Sequence, residues 1–121
     1  TQGKLSLTGV GTVCARMLGS PSKLEDKALD LIIRQKPGGY NGANLYAWYY
    51  HSHAAFQKQG KHWREYNDSY QTVVAQAQQQ DGSWPTGGGH AGSTGADAQL
   101  YSTCLSTLML EVYYRYLPGT K

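Results

Sequence analysis

Apolar residues along the chain recur at helical rather than alternating spacing, and the recurrences fall into five segments separated by glycine or proline. No alternating run lies between them, so the fold class is all-α. The first segment covers about residues 7–18, with Val10, Val13, Cys14 and Met17 on one stripe and Gly19 as its stop. Gly9 and Gly11 interrupt it. Glycine inside a helix costs up to about 1 kcal/mol against alanine, so this pair marks either a frayed start or the close approach of another backbone. The second segment opens at Ser20-Pro21 or at the capping box Ser22-Lys23-Leu24-Glu25, and ends at Pro37-Gly38-Gly39. Its pattern turns Leu24, Ala28, Leu31 and Ile32 inward, while Lys23, Asp26, Lys27, Asp30 and Arg34 make a solvated face.

The third segment, residues 44–59, carries Leu45, Trp48, Tyr49, Ser52 and Phe56 on one stripe and Tyr46, Tyr50 and His53 on another. A helix aromatic nearly all round must be covered on several sides, which places it centrally. The fourth begins near Lys61, after Gly60, with Trp63, Tyr66, Tyr70, Val73, Val74 and Ala77 inward and Arg64, Glu65, Asp68, Gln71 and Gln79 in water. The fifth follows a loop over residues 85–96, is capped by Asp97 and runs to Leu117 before Pro118-Gly119. Leu105, Leu108, Met109, Val112, Tyr113 and Tyr116 make it strongly apolar. The order is inner, outer, inner, outer, inner, with short links that force antiparallel neighbours, the grammar of αα-hairpin repeats. Leu7-Thr8, Leu45-Tyr46 and Tyr101-Ser102 open the three inner helices, and the motifs of tetratricopeptide and ankyrin solenoids are absent.

The exit from the fourth segment, Gln78-Gln79-Gln80-Asp81-Gly82-Ser83-Trp84, is the most informative stretch. Gln78 can still be helical, Gly82 supplies the positive φ that a helix C-terminus often needs, and Trp84 folds back as an apolar cover with one N–H donor.

Length and composition narrow the functional classes. A chain of 121 residues, 40% hydrophobic, with three Trp and ten Tyr, suits a single packed module rather than a disordered linker. Its charge of +3 comes from scattered basic residues without a stripe, which argues against a nucleic-acid footprint. No apolar run reaches the ~18 residues of a membrane span, and the first seven residues carry no signal-peptide core. The chain starts without Met inside a helical pattern, so an excised piece or a processed fragment is expected, and its compartment stays open. Cys14 and Cys104 read as two buried thiols, with their pairing undecided by spacing.

Candidate chemistry is sparse. His51 and His53 stand two apart on one helix, about 200° around it, and cannot readily grip one metal ion. His62 and His90 have no ligand-spaced companion, so no metal site and no cofactor are expected. The stretch 85–95 lacks the Lys-Ser/Thr of a phosphate loop and reads as a flexible connection across the outer rim. Ser102, Thr103, Ser106 and Thr107 read as small packing or back-bonding residues. The acids Glu25, Asp26, Asp30, Glu65 and Asp68 fall on solvated faces. Glu111 alone lies in an apolar helix, where an ion pair with Arg115 outweighs a role as catalytic acid.

The pattern Val73-Val74, Gln78, Gly82, Trp84 resembles the prenyltransferase and squalene oxidase repeat of terpenoid cyclases, whose consensus sets Gln a few residues before Gly-x-Trp. Val73-Val74 stands where an aromatic-Leu pair is usual. The block Leu45-Tyr46-Ala47-Trp48-Tyr49-Tyr50, then Trp63, and the ending Glu111-Val112-Tyr113-Tyr114-Arg115-Tyr116-Leu117-Pro118 are similar to the tail of large bacterial proteins that carry this repeat without an assigned reaction. The resemblance implies an α/α toroid, of which this chain supplies an arc or fragment, the C-terminal part of a larger protein. It implies that Gln78, Asp81, Gly82 and Trp84 form a structural motif, and that Trp48, Tyr49, Tyr50 and Tyr101 line an apolar cavity. The acidic cluster with which such enzymes protonate an alkene is absent. The expected function is therefore a structural or binding repeat module without a complete catalytic site; the alternative is part of a terpenoid cyclase-like domain. Expected partners are the rest of a parent chain or a second copy, and a hydrophobic small molecule.

Overall fold

A computed structural model describes residues 2–20, 23–88 and 95–112. Within them lie five helices: α1 (Gln2–Met17), α2 (Glu25–Arg34), α3 (Leu45–Lys58), α4 (Gly60–Gln76) and α5 (Ala96–Leu110). No strand occurs among the described residues, where extended pairing is limited to an isolated bridge between Asn44 and Gly88.

The helices form two layers. One is a row in which α3 lies between α1 and α5; across it lie α2, touching α1, α3 and α4, and α4, touching α2, α3 and α5. Among the described residues α1 and α5 do not meet. Only α3 has all four other helices as neighbours, as its aromatic circumference requires. Between the layers Leu29, Ile32, Leu45, Tyr66, Tyr70 and Val74 are fully buried. Ring contacts continue the packing from Phe56 to Trp63 at 4.9 Å and from Trp63 to Tyr70 at 6.2 Å.

Local sequence explains most boundaries. Asn44 caps α3 by accepting the Ala47 N–H at 3.2 Å. Gln59, with φ 60°, closes α3 and opens α4, and Gly60 follows it at φ 76°. Two consecutive residues in left-handed backbone let one hairpin arm follow the other almost without a linker. α1 starts at Gln2, well before the expected Leu7, and runs through both glycines. A Cβ on Gly9 would sit 2.7 Å from His51 Cδ2, so this glycine is where α1 comes closest to α3; Gly11 faces open space.

Several expectations are corrected. In α2 the buried set is Glu25, Leu29 and Ile32, whereas Leu24 and Leu31 are exposed. The helix presents a neighbouring stripe to the core because its contacts come from α1, α3 and α4 together. Its N-cap is Leu24 without a side-chain bond, and Ser22 of the expected capping box lies outside the described residues. Cys14 and Cys104 are free and exposed rather than buried. Asp97 lies in the first turn of α5 but does not cap it; Gly95 holds that position. Gln78 lies beyond α4, whose C-cap is Ala77. The expected extension of α5 to Leu117, with Tyr113 and Tyr116, lies outside the described residues.

Candidate functional site

The exit of α4 is built around an indole. Trp84 is only 4% exposed; its Nε1–H donates to the Val74 carbonyl at 2.7 Å, and its backbone N–H donates to Thr103 Oγ1 at 3.0 Å. One residue thus satisfies a carbonyl near the end of α4 with its side chain and ties that end to α5 with its backbone N–H. The turn before it is held by its own polar groups. Gln78 Nε2 donates to the Gly82 carbonyl at 3.0 Å, Gly82 has φ 87°, and Asp81 accepts from both the N–H and hydroxyl of Ser83. Those two bonds hold the Asp81 carboxyl below its ordinary value. After Trp84 the chain docks instead of crossing freely. Gly87 N–H donates to Ser102 Oγ at 3.0 Å and Gly88 N–H to the Ala43 carbonyl at 2.7 Å, which corrects the reading of a flexible connection for residues 85–88. Residues 89–94, His90 included, lie outside the described set.

A second constellation lies on the side of α3 turned away from α2 and α4. Tyr46 and Tyr50 stack edge to face at 5.0 Å, Tyr49 meets Tyr50 at 5.1 Å, and the His53 ring lies 4.5 Å from Tyr49. Tyr101 of α5 joins them: burial, followed by the nearby Tyr46 and Tyr50 phenols, raises its pKa above the usual tyrosine value. Burial raises Tyr50 too, with Tyr46 and Tyr49 adding to it. The Tyr50 and Tyr101 hydroxyls therefore stay protonated through neutral pH and offer neutral hydrogen bonds, not nucleophilic phenolates. All four tyrosines are half-buried, leaving ring edge and face within reach of solvent.

Of the four expected cavity-lining residues, Tyr49, Tyr50 and Tyr101 come together and are joined by Tyr46. Trp48 lies about 200° around the helix from Tyr46; it packs in the core, 6.3 Å from Tyr40. Tyr40 in turn bonds Ser106 Oγ at 3.1 Å and the Pro85 carbonyl at 3.3 Å. Burial raises its pKa against the opposing hydrogen bonds of Ser106 and Ser102.

One carboxylate is placed differently from expectation, while Asp26, Asp30, Glu65 and Asp68 are exposed as expected. Glu25, expected in water, is 8% exposed and lies between Arg16 of α1 and Lys58 of α3; Arg16 Nε and Lys58 Nζ, the latter at 3.3 Å, both contact it. Its phase shows why: Glu25, Leu29 and Ile32 share one stripe of α2, so the carboxylate that begins the helix shares its buried side. Asp30 Oδ1 accepts from His62 Nε2–H across α2 and α4 at 2.8 Å, and this bond holds the Asp30 carboxyl below its ordinary value. Glu65 pairs with Lys36 at 2.8 Å. Glu111 is exposed at the C-cap of α5, and its expected partner Arg115 lies outside the described residues. His51 and His53 are both buried, but no group of three metal-ligating side chains converges among the described residues. No described helix is long and apolar enough to cross a membrane.

No family model matches the chain, and no curated protein or solved structure matches it either.

Proposed function

We propose that the chain is a helical-repeat binding module of α/α-toroid type, related to the prenyltransferase and squalene oxidase repeats, whose ligand surface is the tyrosine face of α3 and α5. The observation that carries this reading is the convergence of Tyr46, Tyr49 and Tyr50 with Tyr101 on one side of the α1, α3 and α5 row. Four half-buried phenols present apolar ring surface together with a few hydroxyls, a chemistry matched to a hydrophobic small molecule that bears few polar groups. The carboxylates favour binding over catalysis. Of the eight in the chain only Glu25 is buried, and its charge is committed to Arg16 and Lys58. An alkene-protonating acid would have to stay protonated in an apolar site, the opposite of a carboxylate held between two cations.

Titration with the isoprenoid alcohol farnesol, followed by the ring signals of the tyrosines in NMR, tests the proposal. Saturable shifts confined to this cluster, with affinity at least about tenfold lower in Tyr50→Ala and Tyr101→Ala, are expected. Binding that ignores both substitutions, or no saturable shift at all, overturns it.

A further inference from the structure

The chain contains two places where glycine follows an Asn or Asp residue, Asn41-Gly42 and Asp81-Gly82. At both, the missing Cβ leaves the glycine amide nitrogen open to the preceding side-chain carbonyl. The fold treats the two pairs in opposite ways. At the α4 exit the Gly82 N–H donates to the Gln79 carbonyl at 2.9 Å, and the Asp81 carboxylate accepts from the N–H and hydroxyl of Ser83 at 3.0 and 2.7 Å. Nitrogen and carboxylate are each committed elsewhere, and an ionised carboxylate is in any case a poor electrophile. The other pair lies in the turn from Tyr40 to Ala43, where the Ala43 N–H donates to the Tyr40 carbonyl at 3.0 Å and Gly42 takes φ 70°. Asn41 and Gly42 are both exposed. Among the described residues neither the Asn41 carboxamide nor the Gly42 N–H has a hydrogen-bond partner.

We infer that Asn41 is a site of spontaneous deamidation and isomerisation, whose product undoes the junction between the start of α3 and the segment 85–88. The Gly42 amide nitrogen bonds to the Asn41 side-chain carbonyl carbon, and the bond from that carbon to the carboxamide nitrogen breaks. That nitrogen leaves as ammonia, taking up the Gly42 amide proton. Water then opens the succinimide: its hydroxyl adds to one of the two carbonyl carbons, and its proton returns to the ring nitrogen. The product is aspartate, or isoaspartate with one extra methylene in the main chain, and either adds a negative charge. The turn has no slack for the longer link, because both of its ends are pinned. The Tyr40 hydroxyl is hydrogen-bonded to Ser106 Oγ and the Pro85 carbonyl, the Ala43 carbonyl accepts the Gly88 N–H, and Asn44 caps α3. A Cβ on Gly88 would sit 2.7 Å from the Gly42 carbonyl oxygen, so the two strands of this junction are already in close contact. Lengthening the backbone at Asn41 therefore displaces Gly88 from Ala43. The inference is independent of the tyrosine face and holds whatever that face binds.

Incubation of the whole chain at mildly alkaline pH, once folded and once in urea, tests this, with peptide mapping by electron-transfer fragmentation to tell aspartate from isoaspartate. Asn41 is expected to convert at a similar rate in both conditions, with release of ammonia. Isomerisation of Asp81 should be at least about tenfold slower in the folded chain than in urea, because it waits on local opening of the α4 exit. Asn44 and Asn67 should stay intact in the folded chain. After conversion the Gly88 amide should exchange its hydrogen faster, and melting should fall by about 4 °C, the shift that loss of one hydrogen bond gives in a domain of this size. Asn41→Ser, at an exposed position, cannot form the succinimide and should keep both properties through the same incubation. A folded chain whose Asn41 converts about tenfold more slowly than in urea overturns the inference, since the turn would then protect it as the α4 exit protects Asp81. So does an Asn41→Ser chain that loses Gly88 protection on incubation as the wild type does.

Discussion

The middle of the molecule and its α1–α2 end are built from similar apolar content but treat it in opposite ways. In α3 and α4 the large residues close upon one another, and Tyr66, Tyr70, Leu45 and Val74 are wholly buried. In α2 a single helix divides: Leu29 is inaccessible to solvent, while Leu24 is 62% exposed and Leu31 45%. Leucine is equally apolar at all three positions. What separates them is the face of the helix each occupies, since a stripe becomes core only if another helix arrives to cover it. The comparison teaches that burial in a layered hairpin array belongs to the face a residue occupies, and that a helix uncovered on one side carries the cost of an exposed stripe.

The largest effect that would test this contrast is expected at the α4 exit. Trp84→Ala removes a buried indole and its bond to Val74, and should lower unfolding stability in urea by about 3–5 kcal/mol. A loss below about 1 kcal/mol would remove that junction from the core. Leu29→Ala should cost about 2–5 kcal/mol, whereas Leu24→Ala, measured where the chain is monomeric, should cost no more than about 0.5 kcal/mol. Similar losses at both positions would erase the distinction between middle and end.

Next comes the seam that joins them. Gly9→Val pushes a side chain into His51 and should destabilise by about 1–3 kcal/mol, while Gly11→Ala meets no atom and should add up to about 1 kcal/mol. Equal responses would mean that α1 does not approach α3 through Gly9. A smaller and pH-dependent effect belongs to the Asp30 and His62 contact, which ties α2 to α4. The folded carboxyl titrates below its unfolded value, so its contribution is present above the unfolded carboxylate pKa and disappears as pH falls through the lower folded one. Denaturant midpoints of wild type and Asp30→Asn should therefore differ at neutral pH and converge in strong acid; a gap that persists there would assign the effect to something else. The smallest change is expected for Tyr66→Phe. The Tyr66 hydroxyl is buried with no hydrogen-bond partner among the described residues, so its removal should leave stability within about 0.5 kcal/mol or raise it.

Much of the fold was legible from apolar spacing alone. Residues 44–59 differ from α3 by only the capping position at each end, because Asn44 and Gly60 bracket an unbroken aromatic pattern. The inward set of α4 was readable for the same reason: Trp63, Tyr66, Tyr70 and Val74 leave no other stripe to bury. Phase in α2 was not readable by leucine content, since Leu24, Leu31, Leu29 and Ile32 surround most of the helix and periodicity cannot say where neighbours stand. The buried Glu25 was missed because a carboxylate is assigned to water unless its cations are known, and Arg16 and Lys58 belong to two other helices. The tyrosine face was visible in part. Tyr46 and Tyr50 are a turn apart, but bringing Tyr101 to them requires that α5 lie beside α3.

The residues by themselves determined that this chain is all helical, where its glycines and prolines interrupt it, and that its third helix must be enclosed, because spacing and backbone freedom are local properties. Only the tertiary structure decided which leucines remain outside, which carboxylate is buried and which phenols share a surface. Those outcomes depend on distances between helices far apart in sequence, and no periodicity within one helix contains them.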